Sequence, residues 1–104
     1  AYYDTRGKSA FAREICRMFL DETPQVATTL KAALCSQACP AAAEVAHTLL
    51  GMAVPLRAGG LIEQARRLQE AGLAGDGAAC RESGESVLTA LESVQAAIRR
   101  YLSE

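Results

Sequence analysis

The chain has 104 residues, half of them hydrophobic, with 11 basic and 12 acidic side chains and a formal net charge of −1. This length holds one small domain and not two, and so balanced a charge gives no electrostatic reason to bind nucleic acid or an anionic membrane surface. No uninterrupted apolar run is long enough to cross a bilayer, and no secretory signal pattern appears.

Ala and Leu dominate the apolar residues, while aromatic and β-branched residues are few. This is the composition of packed helices, because Ala and Leu lose little on entering a helix whereas strands favour the other two groups. The sequence therefore predicts an all-α protein.

Residues 1–8 read as a loose N-terminal segment or linker, and the start without Met reads as the edge of a fragment from a longer protein. The domain itself is expected over residues 9–104. A first short helix is expected from the N-cap Ser9 to Glu22, with Phe11, Ile15, Met18 and Phe19 at helical spacing. Thr23-Pro24 should end it and start the next, since Thr caps well and Pro is harmless at the first helical position. The second helix carries Val26, Leu30, Ala33 and Leu34 inward and stops near Gln37. Cys39-Pro40 repeats the device and opens a third helix that continues to about Val54, where Pro55 ends or kinks it and Ala58-Gly59-Gly60 supply the turn. A fourth helix runs from about Leu61 to Ala71, with Leu61, Ala65, Leu68 and Leu73 as its apolar stripe. Asp76, bracketed by glycines, is the expected N-cap of the last helix.

That last helix is the longest. Cys80, Gly84, Val87, Leu91, Val94, Ile98 and Tyr101 fall at alternating steps of four and three, a continuous seam along one face. Short connections imply antiparallel neighbours, hence an up-down four-helix bundle with the additional short N-terminal helix packed across one end.

His47 is the only histidine. Imidazole is the one side chain that ordinarily offers a neutral nitrogen nucleophile and a titratable group together near neutral pH. On a helix its neighbours are Ala43 and Glu44 one turn before, Leu50 and Gly51 one turn after, and Val54 beyond. The interleaved apolar positions bury themselves elsewhere, so His47 is expected to project outward. Gly51 disfavours the helix it sits in by roughly 1 kcal/mol relative to Ala, which points to a close approach to the backbone there, by a partner or by another helix. One histidine is too few for a metal site. The cysteines Cys16, Cys35, Cys39 and Cys80 form no Cys-x-x-Cys pair, so neither zinc nor a disulfide framework is expected. Cys16 and Cys80 read as small buried hydrophobes, while Cys35 and Cys39 flank a turn.

Ala46, His47, Leu49 and Gly51 match the A-H-x-L-K-G motif around the phosphorylated histidine of the histidine-containing phosphotransfer (HPt) family, which this chain resembles from about Ser9 to Leu102. Ala53, Leu56, Ala58, Leu61, Ala65 and Leu68 continue the match, and Gln69 falls where family members carry a Gln or Glu facing the imidazole. Two positions depart: the motif Lys is Leu50, and a Gly usual after the later Leu is Arg57. The resemblance implies a phosphoryl carrier with no kinase activity and no cofactor of its own, in the C-terminal part of a cytoplasmic or membrane-bound sensor histidine kinase. His47 would take a phosphoryl group from a receiver-domain aspartate, with Mg²⁺ on the receiver, and pass it to another receiver. Gln69 would accept the Nδ1–H, leaving Nε2 as nucleophile. Arg57, Arg66 or Arg67 would replace the lost Lys charge, Arg66 being favoured as one turn from Gln69, and Leu50, Val54, Glu44 and Ala43 would dock the receiver. The domain is expected to be monomeric, with no membrane contact and no metal. The alternative is a degenerate module that binds receivers or dimerises without transfer.

Overall fold

Left-handed residues punctuate the chain at Gln37 (φ 57°), Arg57 (φ 54°) and Gly75 (φ 71°), and each ends a helix. The computed structural model describes residues 10–103. It comprises α1 (Ala10–Cys35), α2 (Cys39–Ala53), a 3₁₀ turn (Val54–Leu56), α3 (Gly59–Ala74) and α4 (Gly77–Ser103). No strand occurs among the described residues, and the loose segment and the Ser9 cap expected from the sequence lie outside them.

All three connections are built alike. The amide after the left-handed residue reaches back five residues, from Ala38 to the Ala33 carbonyl (2.9 Å), Ala58 to Ala53 (3.3 Å) and Asp76 to Ala71 (3.1 Å). This arrangement satisfies the carbonyls that a helix end leaves without partners and turns the chain back within a few residues. Only one of the three uses glycine. The turn expected at Ala58-Gly59-Gly60 is instead made by Arg57, and both glycines enter α3. The family's usual Gly at this position suits the left-handed conformation that Arg57 adopts at a steric cost of roughly 1 kcal/mol. Asp76 caps α4 as expected, its Oδ1 accepting the Ala79 amide at 3.0 Å.

The four helices close a ring in which α1 packs on α2 and α4, and α3 packs on the same two. Arg13 lies near Leu102, Thr23 bonds Gln95, and Gly84 meets Leu34, so α1 and α4 run antiparallel along their whole length. Leu30, Leu49, Leu61, Leu68, Leu91, Val87 and Thr23 are the largest side chains sealed from solvent. In α4 the expected seam is the buried face, complete at Cys80, Gly84, Val87, Leu91 and Ile98 and half-buried at Val94 and Tyr101.

The short N-terminal helix is not separate. Thr23-Pro24 interrupts nothing, and α1 runs for 26 residues with Pro24 inside it. An interior proline costs a helix about 3 kcal/mol. Here the cost is offset by packing on both sides of it: Cys16, Phe19 and Thr23 before, Leu30 and Ala33 after, are all buried. Thr23 acts as an internal brace rather than a cap. Its hydroxyl donates to the Phe19 carbonyl at 2.7 Å and accepts from Gln95 Nε2 at 2.9 Å. The apolar stripe expected near the start of α1 is only half right, because Phe11 and Met18 are exposed while Phe19 is buried. Leu73, expected on the stripe of α3, is 76% exposed.

By composition, the window Cys39–Leu56, with mean hydropathy 1.2 over 18 residues, is long and apolar enough to cross a membrane. A third of that window is buried inside the bundle. α2 has six buried residues, Ala42, Ala43, Val45, Ala46, Leu49 and Ala53, because it is flanked by both α1 and α3.

Candidate functional site

Burying Ala42, Ala46, Leu49 and Ala53 on the inner face of α2 leaves Glu44, His47, Thr48 and Gly51 exposed on the other. His47 thus stands outward from the middle of the most confined helix, as its spacing predicted.

The imidazole is oriented from the neighbouring helix. Gln69 of α3, half-buried, places its carboxamide 3.4 Å from His47 Nδ1. This is the pairing expected from the sequence, with one correction. The amide nitrogen faces Nδ1, not the carbonyl oxygen. In that orientation Gln69 Nε2 donates to Nδ1 and the ring proton sits on His47 Nε2; a half-turn of the amide, which changes its shape little, puts Oε1 there and reverses the tautomer.

The α2–α3 contact behind this pair is unusually close. A Cβ on Gly72 would lie 2.7 Å from Ala43 Cβ and 2.7 Å from the Cys39 carbonyl oxygen, so glycine is required where the helices meet. Ala43, expected at a docking surface, is this contact: it is 5% exposed and packs inward. Gly51 is the opposite case. A Cβ there would meet nothing within 4 Å, so Gly51 makes no close helix–helix contact among the described residues.

Glu44 is exposed and Val54 is 52% exposed, both open to a partner as expected, whereas Leu50 is half-buried. Arg66 is exposed one turn before Gln69 and forms no ion pair or hydrogen bond among the described residues. Arg67 differs, being paired with Glu63 at 3.2 Å. Thr48 and Met18 were missed by sequence reasoning. Met18, 50% exposed, lines a shallow hollow between α1 and α2 with Ile15, Gly51, Met52 and Pro55. The signal was available only as the absence of a partner for Met18, which the sequence does not display.

The antiparallel helical bundle presents one oriented, solvent-exposed imidazole, an arrangement chemically able to carry a group on histidine. The chain belongs to the Hpt domain family, whose model matches residues 14–97. No curated protein and no solved structure matches it. Hpt domains carry out histidine phosphotransfer in phosphorelays, interacting with receiver domains.

Proposed function

We propose that His47 is the phosphorylated residue, accepting a phosphoryl group from a receiver-domain aspartate and donating it to a second receiver. The observation that carries this is the exposed His47 ring with Nδ1 turned to Gln69, which makes Nε2 the nitrogen farther from the bundle. With the Gln69 carbonyl turned to accept Nδ1–H, the Nε2 lone pair attacks phosphorus in line. The N–P bond forms as the P–O bond to the aspartate breaks, and the electron pair leaves on the carboxylate. The imidazole ring becomes cationic, and the Nδ1–H to Gln69 bond strengthens with it. The reverse step onto another aspartate needs no further group.

Charge on the moving phosphoryl would be met by Mg²⁺ bound to the partner receiver. Arg66, exposed one turn before Gln69, is the cation of this chain assigned to assist, in the role that the motif Lys would have had at Leu50. The docking face consists of Glu44, Thr48, Gly51 and Val54 around His47, extended by Met18 and Pro55, so it is apolar with a charged rim. The parent chain is a cytoplasmic or membrane-bound hybrid sensor kinase, with this domain monomeric and near its C-terminus. A second reading, a module that docks receivers without transfer, is favoured by Leu50 alone, which places a half-buried apolar side chain where the family carries Lys.

The test is transfer from phosphorylated receiver domains to this chain and to His47→Gln. Acid-labile label on the wild type alone establishes the carrier role. Binding of receivers without label on either protein would establish the docking module instead.

A further inference from the structure

Two thiols meet at the end of the bundle remote from the Phe11 end of α1. Cys39 is the first residue of α2 and half-buried; Cys80 lies in the first turn of α4 and is 4% exposed. Both line one cleft, whose other walls include the small Ala33, Ala42 and Gly77 and the larger Leu34, Gln37 and Arg81. The Cys80 and Cys39 thiols are within hydrogen-bonding reach of each other, and a disulfide would close them to roughly 2.05 Å. The electrostatics agree with the packing: burial first, then the adjacent Cys39 sulfur and the Asp76 carboxylate, push the Cys80 thiol up to about 11. Cys16, buried without such a neighbour, is raised by burial alone. Cys35, exposed at the end of α1, does not line the cleft.

We propose that Cys39 and Cys80 are a redox modification site, forming a reversible intrachain disulfide in response to a peroxide. Cys39, the accessible member, attacks the peroxide oxygen as thiolate; its sulfur becomes a sulfenic acid and hydroxide leaves. The Cys80 sulfur then displaces that hydroxyl, its proton departing with it as water, so one peroxide takes two electrons from the two thiols. A dithiol reductant restores both. The bond ties the start of the histidine-bearing helix to the first turn of α4 and closes a long loop through α2 and α3. This inference is independent of His47 and of any receiver.

The experiment treats the full chain with hydrogen peroxide, blocks remaining thiols with an alkylating agent and maps tryptic peptides. Residues 32–57 contain both Cys35 and Cys39, so the map is made on Cys35→Ser, in which that peptide holds Cys39 alone. The expected result is peptide 32–57 joined to peptide 68–81, two thiols lost per chain, and reversal by dithiothreitol. The oxidised protein is expected to melt roughly 10 °C or more above the reduced one, a rise absent from Cys80→Ala. The proposal is overturned if Cys80 stays alkylatable while Cys39 proceeds to the sulfinic acid. It is equally overturned if, in the unsubstituted chain, Cys39 pairs with Cys35 or links two chains.

Discussion

Replacing Gly51 by Ala separates what this residue does for the fold from what it does for a partner. The added methyl meets no atom within 4 Å, so it introduces no clash and removes the backbone freedom that Gly has in the unfolded chain. In a helix this exchange is worth about 0.5–1 kcal/mol in favour of Ala, somewhat less in a last turn. For a domain of this size the melting temperature is expected to rise by roughly 3–6 °C, read by circular dichroism. The same methyl stands beside His47 on the proposed docking face. If a receiver backbone rests there, overpacking of about 1–3 kcal/mol lowers the rate of transfer at limiting receiver by roughly five-fold to a hundred-fold. A more stable protein that transfers less well is the expected outcome. A lower melting temperature would refute the open surroundings of Gly51, and unimpaired transfer would refute the close approach of the receiver.

Gly72→Ala should behave oppositely: its methyl would press on Ala43 Cβ and on the Cys39 backbone, which cannot rotate away, and urea unfolding should show a loss of about 1–3 kcal/mol. Thr23→Val keeps the shape of a fully buried side chain but strands the Gln95 amide and removes the brace beside Pro24; a loss of about 1–2 kcal/mol is expected from denaturant titration. Stability should also fall as pH rises from about 9 toward 11, because the unfolded chain releases the Cys80 proton in that range while the folded chain, with its thiol raised to about 11, retains it. Comparing Cys80→Ala with the wild type in urea melts across that range should show a shallower decline for the variant. Gln69→Leu is expected to lose the preference for one imidazole tautomer, seen as a changed pattern of His47 ring-nitrogen shifts in ¹⁵N NMR and as slower transfer.

The alternation of four and three along α4, the Asp76 cap and the outward His47 are all legible in the sequence, since each depends on residues within one or two turns of one another. The Gln69 pairing was also anticipated, though through family resemblance: no local rule connects α3 to α2 at that register. Glycine misled where it was read as punctuation. Gly59 and Gly60 lie inside α3, whereas the left-handed turns at Gln37 and Arg57 use residues that propensity assigns elsewhere.

What the sequence determined by itself was the helical class, the long run of apolar spacing in α4 and the isolation of one imidazole, because hydrophobic period and helix capping act over a few residues. Tertiary structure decided the rest. Whether Pro24 breaks α1 depends on the packing on either side of it and on Gln95, far away in the chain. Whether Gly51 or Gly72 is the close contact depends on which side of α2 the neighbouring helix lies, and that follows from closing the ring of four helices. The same closure turns Ala43 inward, leaves Met18 and Phe11 uncovered and brings Cys39 against Cys80. Each of these outcomes is a balance between local preference, near 1–3 kcal/mol per residue, and burial energies of the same size contributed by residues distant in sequence.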